Sequence, residues 1–390
     1  MTEKLYYTDG SMREFTAAVV SCTEEDGRIA VELDRTAFFP EGGGQAPDTG
    51  RIGNAEVSDV REKNGRILHY VNRPLVVGTK HDCVLDWEKR LRRMQNHTGE
   101  HIVSGLVHKK YGYNNVGFHM GHDFVTVDFD GDLAFEQLSE IEAEANAAVA
   151  ARHPVRCFFP TSEELSSLDY RSKLDLIGDV RLVEIEGIDL CACCAPHLPD
   201  TSGVGIVKII DSERRRRGGD GVRITMLCGL DAYEYLAAVQ RNNDAVSNLL
   251  SAKRLETAQG VRRLLADAEE KKSRIAELSG ALSAALAELQ PEGEENLCLF
   301  ENRLDPAAVR ALVNALTLKC GGAAAVFSGD DEHGYSYIIG SAAKDLRKAS
   351  KSINEALCGR GGGSPEMISG RVNASAESIK KYFKELKLLT

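Results

Sequence analysis

The chain has 390 residues, of which 43% are hydrophobic and 27% charged, and its net charge is −11. This length and ordinary globular composition predict two or three domains. The acidic balance argues against a non-specific nucleic-acid binder, although four short basic runs are compatible with one anionic partner. An export signal and a run of 18 apolar residues are both missing, which predicts a cytoplasmic protein that makes no membrane contact.

Residues 1–85 are predicted to form a small β-rich domain or barrel. Alternating apolar segments at 14–22, 27–34 and 65–71 predict strands, and the tripeptides EDG and KNG between segments predict hairpin turns. The stretch RTAFFPEGGGQAPDTG at 35–50 contains three consecutive glycines. These glycines either form a wide turn or let the backbone approach a ligand closely; a phosphate loop is not indicated, because no GK[ST] follows.

The next block, 86–229, has an α+β pattern. Apolar residues at helical spacing predict a helix over 88–111, and the alternation of DFVTVDF predicts a strand at 123–129. A second helix is predicted from 134 up to Pro154, and VRLVEIEGIDL at 180–190 is predicted as one strand that leads into a cysteine cluster.

Residues 230–290 are predicted to be a long helical region that forms a coiled-coil-like hairpin, with a weak seam that includes Ile275, Leu278 and Leu282. The seam fits an antiparallel helix pair within one chain as well as a contact in a homodimer. A turn-rich linker follows at 290–296, and alternating strands and helices then predict a small α/β domain over 295–390. The fold class predicted for the whole chain is α+β.

Two pairs of possible metal ligands occur in the α+β block, each pair four residues apart. They are His97 with His101, on a predicted helix, and Cys193 with His197, just after a predicted strand. Three imidazoles and one thiolate suit Zn²⁺ in tetrahedral geometry. Cys191 or Cys194 could replace Cys193, and spacing alone does not decide between them.

Three motifs carry a resemblance to a known family. AFFPEGGGQAPDTG is similar to its glycine motif, HTGEH to its HxxxH element, and CCAPH stands where the family has Cys-x-x-x-His. The chain thus resembles the AlaX family of alanyl-tRNA editing proteins, related to the editing half of alanyl-tRNA synthetase. The tail CGRGGGSPEMISG is similar to the glycine-rich stretch of the synthetase's terminal DHHA1-type domain. The match is with the long form of the family.

The resemblance implies a domain plan and an activity. The plan is a barrel-like domain at 1–85, a zinc-binding editing domain at 86–229, a helical region at 230–290 and a DHHA1-like domain at 295–390. The activity is deacylation in trans of mischarged tRNA(Ala), mainly Ser-tRNA(Ala) and sometimes Gly-tRNA(Ala), without charging of tRNA. A homodimer through the helical region or the C-terminal domain is compatible with it.

The resemblance also implies which residues act. One Zn²⁺ per chain would be held by His97, His101, Cys193 and His197. Substrate or tRNA would contact two glycine-rich stretches, comprising Gly42, Gly43, Gly44 and Gln45, and Arg360, Gly361, Gly362 and Gly363.

Polar groups for the wall of the substrate pocket are predicted at Glu100, Asp200 and His119, with His122 as a further candidate. Glu100 departs from the pattern of the related synthetase, which usually has a small hydroxyl residue at this position. It could bind a serine hydroxyl or the α-amino group, orient a water, or be an ordinary solvated side chain. CCAPH also lacks the family's two glycines, which stiffens the backbone beside Cys193.

Two other functions are alternatives to editing. A zinc protease of the HExxH type needs a glutamate after the first histidine, and Thr98 occupies that position. A catalytically inert, zinc-containing tRNA-binding module is the alternative that the motifs leave open.

Overall fold

The structure is a computed structural model that describes residues 2–25, 27–121, 123–172, 180–215 and 220–385. It is a mixed α+β protein, as predicted from the sequence. Its contacts divide the chain into two compact units, Met1–Asn242 and Asn243–Thr390. The segments 1–85 and 86–229 both lie within the first unit, and the four-domain plan stays a prediction.

The first part of this unit is built from eight strands: β1 Glu3–Lys4, β2 Glu14–Glu25, β3 Arg28–Leu33, β4 Arg35–Thr36, β5 Gly50–Ile52, β6 Ala55–Lys63, β7 Arg66–Val71 and β8 Lys80–Leu85. Six of them close into a barrel in the order β2-β3-β7-β6-β5-β8. The turn between β6 and β7 has φ of 52° at Asn64 and 74° at Gly65, the left-handed backbone that a tight hairpin requires.

The described residues of the second part of the unit form three α-helices and seven strands: α1 Trp87–Tyr111, β9 Asn115–Met120, β10 Val125–Phe129, α2 Phe135–Ala151, β11 Val155–Phe158, α3 Ser162–Ser167, β12 Leu182–Ile185, β13 Asp189–Ala192, β14 Val207–Arg214 and β15 Val222–Cys228. Two antiparallel sheets result, in the orders β14-β15-β10-β9 and β11-β12-β13.

Helix α1 is the central element of this part. Asp86 caps its first turn, and it ends at Gly112, whose φ of 73° suits glycine. Its middle, from Met94 to Val107, is buried on nearly every side, because α2, β13, β15 and β9 all pack against it. The polar side chains in that stretch therefore lie inside the protein and need partners there.

A buried ion pair joins α1 to the chain that follows the barrel strands β3 and β4. Arg90 is fully buried, and its Nε lies 3.1 and 3.0 Å from the two carboxylate oxygens of Asp48. The guanidinium also donates to the carbonyls of Gly10 at 2.9 Å and Ala37 at 2.5 Å. Asp48 in turn accepts a hydrogen bond from the backbone N–H of Phe39 at 2.7 Å. The pair fixes α1 against the segment that contains the three glycines.

The prediction of a single strand at 180–190 is wrong, because this segment forms two strands. β12 and β13 form a hairpin whose turn contains Gly187 with φ of 73°. The sequence is apolar on both sides of the turn, and only Gly187 marks the break. The apolar pattern therefore does not reveal the hairpin.

The predicted helical region 230–290 contains two helices. Helix α4 Gly229–Leu250 ends before a break in which Ser251 has φ of 49°, and α5 Thr257–Glu288 follows. Of the predicted seam, Ile275 and Leu278 are more than half exposed, whereas Leu282 packs against the core of the C-terminal unit. The coiled coil stays a prediction.

The rest of the C-terminal unit comprises β16 Leu297–Phe300, α6 Pro306–Thr317, β17 Ala324–Asp330, β18 Gly334–Gly340, α7 Leu346–Ala356, β19 Arg360–Gly363, β20 Met367–Val372 and α8 Ala376–Glu385. Its five strands form one sheet in the order β16-β17-β18-β20-β19. The predicted α/β pattern is confirmed, but the hairpin of β19 and β20 was not foreseen. None of the helices described is long and apolar enough to cross a membrane.

We predict that Arg90→Met destabilises the first unit by about 3–5 kcal/mol, because it leaves the Asp48 carboxylate buried without its cation. The change would be measured by urea unfolding of the purified protein. Arg28→Met is the matched control, since Arg28 pairs with Asp59 at an exposed site and should cost less than about 1 kcal/mol. Equal losses in the two variants would contradict the assignment.

Candidate metal centre and its cleft

Helix α1 supplies two of the four predicted ligands. His97 and His101 lie one turn apart in its buried middle, with ring centroids 5.4 Å apart. Side chains four residues apart on a helix point from the same face. The spacing therefore orients both imidazoles into the interior of the first unit.

The loop after β13 supplies the other two predicted ligands. Its backbone is held by Arg181, whose Nη1 donates to the carbonyls of Cys193 and Ala195, both at 2.9 Å. The N–H of Cys193 donates to the carbonyl of Arg181 at 3.0 Å. This anchoring gives the CCAPH loop a defined shape without the family's two glycines.

The four side chains meet at one point. Their ligand atoms all lie within 4.8 Å of one another. The Cys193 Sγ is 3.5 Å from His97 Nε2 and 3.4 Å from His197 Nε2. Tetrahedral zinc, with bonds of about 2.0 Å to nitrogen and 2.3 Å to sulfur, separates such atoms by about 3.5 Å. The donor set and its spacing therefore fit one metal ion.

Each imidazole is oriented by a second group at its other nitrogen. The Nδ1 atoms of His97, His101 and His197 lie 2.9 Å from Gln45 Oε1, 2.9 Å from Asp189 Oδ2 and 3.2 Å from Thr98 Oγ1. Such partners fix the ring orientation of metal-ligating histidines and raise the basicity of the other nitrogen. All three Nε2 atoms are thus left for the shared centre.

Asp189 was not foreseen as part of the site. It is buried, and Arg171 donates to its two oxygens at 2.7 and 2.8 Å. Burial would raise its pKa, but the hydrogen bonds from His101 and Arg171 outweigh burial and hold the pKa at about 2. The strand alternation could have indicated it, since Asp189 shares a buried face of β13 with Cys191.

The ionisation of the cluster suits a metal. Burial holds the pKa of His197 well below its ordinary value, and the neighbouring His101 and His97 lower it further. Burial, followed by the neighbouring Cys194, raises the pKa of the Cys193 thiol well above its ordinary value. Neutral imidazoles are ready to bind a metal, whereas the thiol must release its proton on binding.

The other two cysteines of the cluster lie beside this centre. Cys191 forms a second close group with His101 and Asp189. Cys194 lies against the glycine loop, where a Cβ on Gly43 would be 3.4 Å from its Sγ. The geometry thus favours Cys193 among the three thiols that the sequence leaves open.

A cleft of about 470 Å³ opens beside the four side chains. Its lining includes His97, His101 and Cys193, the glycines Gly43 and Gly44, and the side chains of Glu100, Phe118, Tyr7, Phe159 and Arg181. Gly44 has φ of 82°, and a Cβ there would lie 2.6 Å from the ring of Phe118 on β9. The glycines thus let the loop lie directly against β9 at the cleft wall.

Glu100 is buried in this cleft rather than solvated. Its side chain accepts a hydrogen bond from Ser104 Oγ at 2.5 Å and another from Asn115 Nδ2. It lies one position before His101 on α1. Of the three predicted wall residues, it is the one that lines the cleft together with His97, His101 and Cys193.

The structure does not bring Asp200 and His119 to this wall. Asp200 caps the 3-10 helix Thr201–Val204, and its carboxylate accepts from the backbone N–H of Ser202 at 2.8 Å. His119 follows Phe118 on β9, so it faces away and lines a separate pocket with Arg92 and Arg93. His122 lies outside the described residues.

The second predicted glycine-rich contact lies in the C-terminal unit. Arg360, Gly361, Gly362 and Gly363 form the exposed edge strand β19. A Cβ on Gly361 would lie 2.2 Å from the hydroxyl of Tyr337. Close packing under that ring explains this glycine, and a contact with tRNA stays a prediction.

Comparisons with known proteins identify the family of the chain. Residues 180–224, which include Cys193 and His197, match the family described as "Threonyl and Alanyl tRNA synthetase second additional domain". AlaX-L of Pyrococcus horikoshii, an alanyl-tRNA editing protein, is 27% identical over 97% of this chain and 96% of its own length. AlaX-M of Methanosarcina barkeri is 34% identical over 58% of this chain and 100% of its own length.

The chain belongs to the AlaX family of alanyl-tRNA editing proteins. The membership predicted from the three motifs is confirmed. The zebrafish editing protein Aarsd1 is also similar to this AlaX protein, with 31% identity over 54% of the chain and 55% of its own length.

We predict that Asp189→Asn weakens Zn²⁺ binding by about 10- to 100-fold, because His101 loses the carboxylate that orients it. Competition with a chromogenic chelator would measure the affinity. Glu184→Gln, in the neighbouring strand β12, is the control and should bind Zn²⁺ like the wild type. Unchanged affinity in Asp189→Asn would show that the hydrogen bond does not support the centre.

Proposed function

We propose that this AlaX protein hydrolyses mischarged tRNA(Ala) in trans, releasing serine from Ser-tRNA(Ala) and also glycine from Gly-tRNA(Ala). The observation that carries the proposal is the convergence of His97, His101, Cys193 and His197 at the wall of a cleft. The relatives named above as alanyl-tRNA editing proteins support the class of substrate.

We infer that the four side chains hold one zinc ion. Zinc polarises a carbonyl and lowers the pKa of a bound water, which is the chemistry that ester hydrolysis needs. The role of the protein is to hold the three imidazoles in a fixed orientation through Gln45, Asp189 and Thr98. The four side chains would hold the ion in a tetrahedral site, and a bound ion would supply this chemistry at the wall of the cleft.

Glu100 is the residue that we expect to select the amino acid. Serine differs from alanine by one hydroxyl, and a site that hydrogen-bonds a hydroxyl rejects the analogue that lacks it. Ser104 and Asn115 hold the Glu100 carboxylate at the cleft wall, where it can accept from a serine hydroxyl or the α-ammonium group. Correct Ala-tRNA(Ala) would thus be spared.

The C-terminal unit would then hold the body of the tRNA. We propose that it is a DHHA1-type domain and that Arg360, with the glycines of β19, faces the tRNA backbone. The exposure of this edge strand and of the basic side chains Arg347 and Lys351 on the adjacent α7 supports the idea. Homodimer formation and a cytoplasmic location remain predictions.

The first experiment is deacylation of Ser-, Gly- and Ala-tRNA(Ala) by zinc-loaded protein. We expect rapid release of serine, and a loss of at least about 100-fold in Cys193→Ala, because the metal site loses its thiolate. Cys22→Ala, on the barrel strand β2, is the control. Retained binding of tRNA without release of any amino acid would instead support an inert tRNA-binding module.

We predict that Glu100→Gln lowers kcat/KM for Ser-tRNA(Ala) by about 10- to 100-fold, because a hydrogen bond to a charged group is replaced by one to a neutral group. The zinc content should be unchanged. Glu88→Gln, at an exposed position of the same helix, serves as the control. If selectivity for serine over alanine survives in Glu100→Gln, another residue discriminates the amino acid.

A further inference from the structure

Arg181 is a buried cation, and the metal centre does not occupy all of the N–H donors of its guanidinium group. It is 6% exposed and lines the cleft. Its Nη1 donates to the two carbonyls of the CCAPH loop, while its Nε has no hydrogen-bond partner. No carboxylate in the described part of the chain forms an ion pair with it. Burying a charge without a counter-charge is costly, so the position favours an anion from outside.

The other arginine of the cleft differs in this respect. Arg171 is neutralised by two hydrogen bonds to Asp189. Arg181 is therefore the group best suited to attract a negatively charged ligand into the described part of the cleft.

An aromatic pair lies next to Arg181. The Tyr7 ring centroid is 5.2 Å from the guanidinium carbon and 5.5 Å from the ring centroid of Phe159, in an edge-to-face arrangement. Phe159 follows β11 and is 50% exposed at the cleft. Exposed aromatic rings beside a cation are the combination by which proteins hold single-stranded nucleic acid: bases stack on rings, and phosphates pair with basic side chains.

We propose that Arg181, Tyr7 and Phe159 form a subsite for the 3′-terminal nucleotide of the tRNA. Arg181 pairs with its phosphate, Phe159 stacks on its base, and Tyr7 supports both groups from behind. The subsite rests on the proposed function and deepens it. It would direct the aminoacyl ester toward His97 and Cys193, which line the same cleft.

Binding of uncharged RNA tests the subsite without relying on turnover. The probe is a labelled minihelix with the acceptor stem of tRNA(Ala) and a 3′ CCA end, titrated against the zinc-loaded full chain by fluorescence anisotropy at several salt concentrations. Arg181→Gln should weaken binding about 10-fold and reduce the slope of log K against log salt by about 0.7, the share of one phosphate on a single strand. Arg181→Lys should keep the slope.

Phe159→Ala should weaken binding by a similar factor of about 10 and leave the salt slope unchanged, because stacking releases no counterion. Phe135→Ala, at an exposed phenylalanine on α2, is the matched control and should bind like the wild type. On a minihelix that lacks the terminal adenosine, Phe159→Ala should bind like the wild type, since the stacking partner is already absent.

Zinc content and thermal midpoint, measured for every variant, separate this role from a structural one. If Arg181 only anchors the CCAPH loop, Arg181→Gln loses zinc or stability while its salt slope stays at the wild-type value, and the proposal is overturned. Wild-type affinity and slope in a zinc-replete Arg181→Gln variant overturn it as well. If the subsite-dependent binding is found but no amino acid is released from any tRNA, the proposed function fails and the subsite stands.

Discussion

The ion pair between Arg90 and Asp48 is the constraint on which the site depends. Asp48 and Phe39 exchange hydrogen bonds, and so they close the loop that holds the three glycines. The same carboxylate is bound by Arg90, two helical turns before His97 on α1. The loop and the helix are thereby fixed to each other. Gln45 reaches the Nδ1 of His97 because of this attachment, so the barrel segment contributes directly to the proposed metal centre.

Most helices that are buried to this extent carry apolar side chains. The buried middle of α1 instead carries polar ones. The histidines, Glu100 and Ser104 occupy its buried middle, and each of these side chains has a partner on another element or on the next turn. Unpaired, such groups would destabilise the fold by several kcal/mol. The fold tolerates them because partners from the glycine loop, β13 and β9 converge on one helix. Selection for chemistry explains this polar interior better than selection for stability does.

Much of the fold was predictable because it is encoded locally. The strands β2, β3 and β7 follow from alternation, and α1 and α2 from helical periodicity with a glycine or proline after them. The prediction failed where a turn interrupts a segment whose apolar pattern continues on both sides of the turn. The hairpin at Gly187 is an example, since one residue with a positive φ marks its turn. The two wall residues Asp200 and His119 show the same limit: they lie near the motifs in sequence, but capping and strand alternation direct them elsewhere.

The sequence by itself determined the family and the types of ligand, because two pairs of ligand residues four apart and a glycine motif together are highly specific. It also determined that His97 and His101 share a face, since helix geometry is local. Only the tertiary structure decided that the Cys193 thiol meets the three imidazoles at one point, that Glu100 is buried, and that Gln45, Asp189 and Thr98 orient the rings. Those contacts link residues 52 to 99 positions apart. Local periodicity carries no information about such distances, because packing of the whole unit sets them.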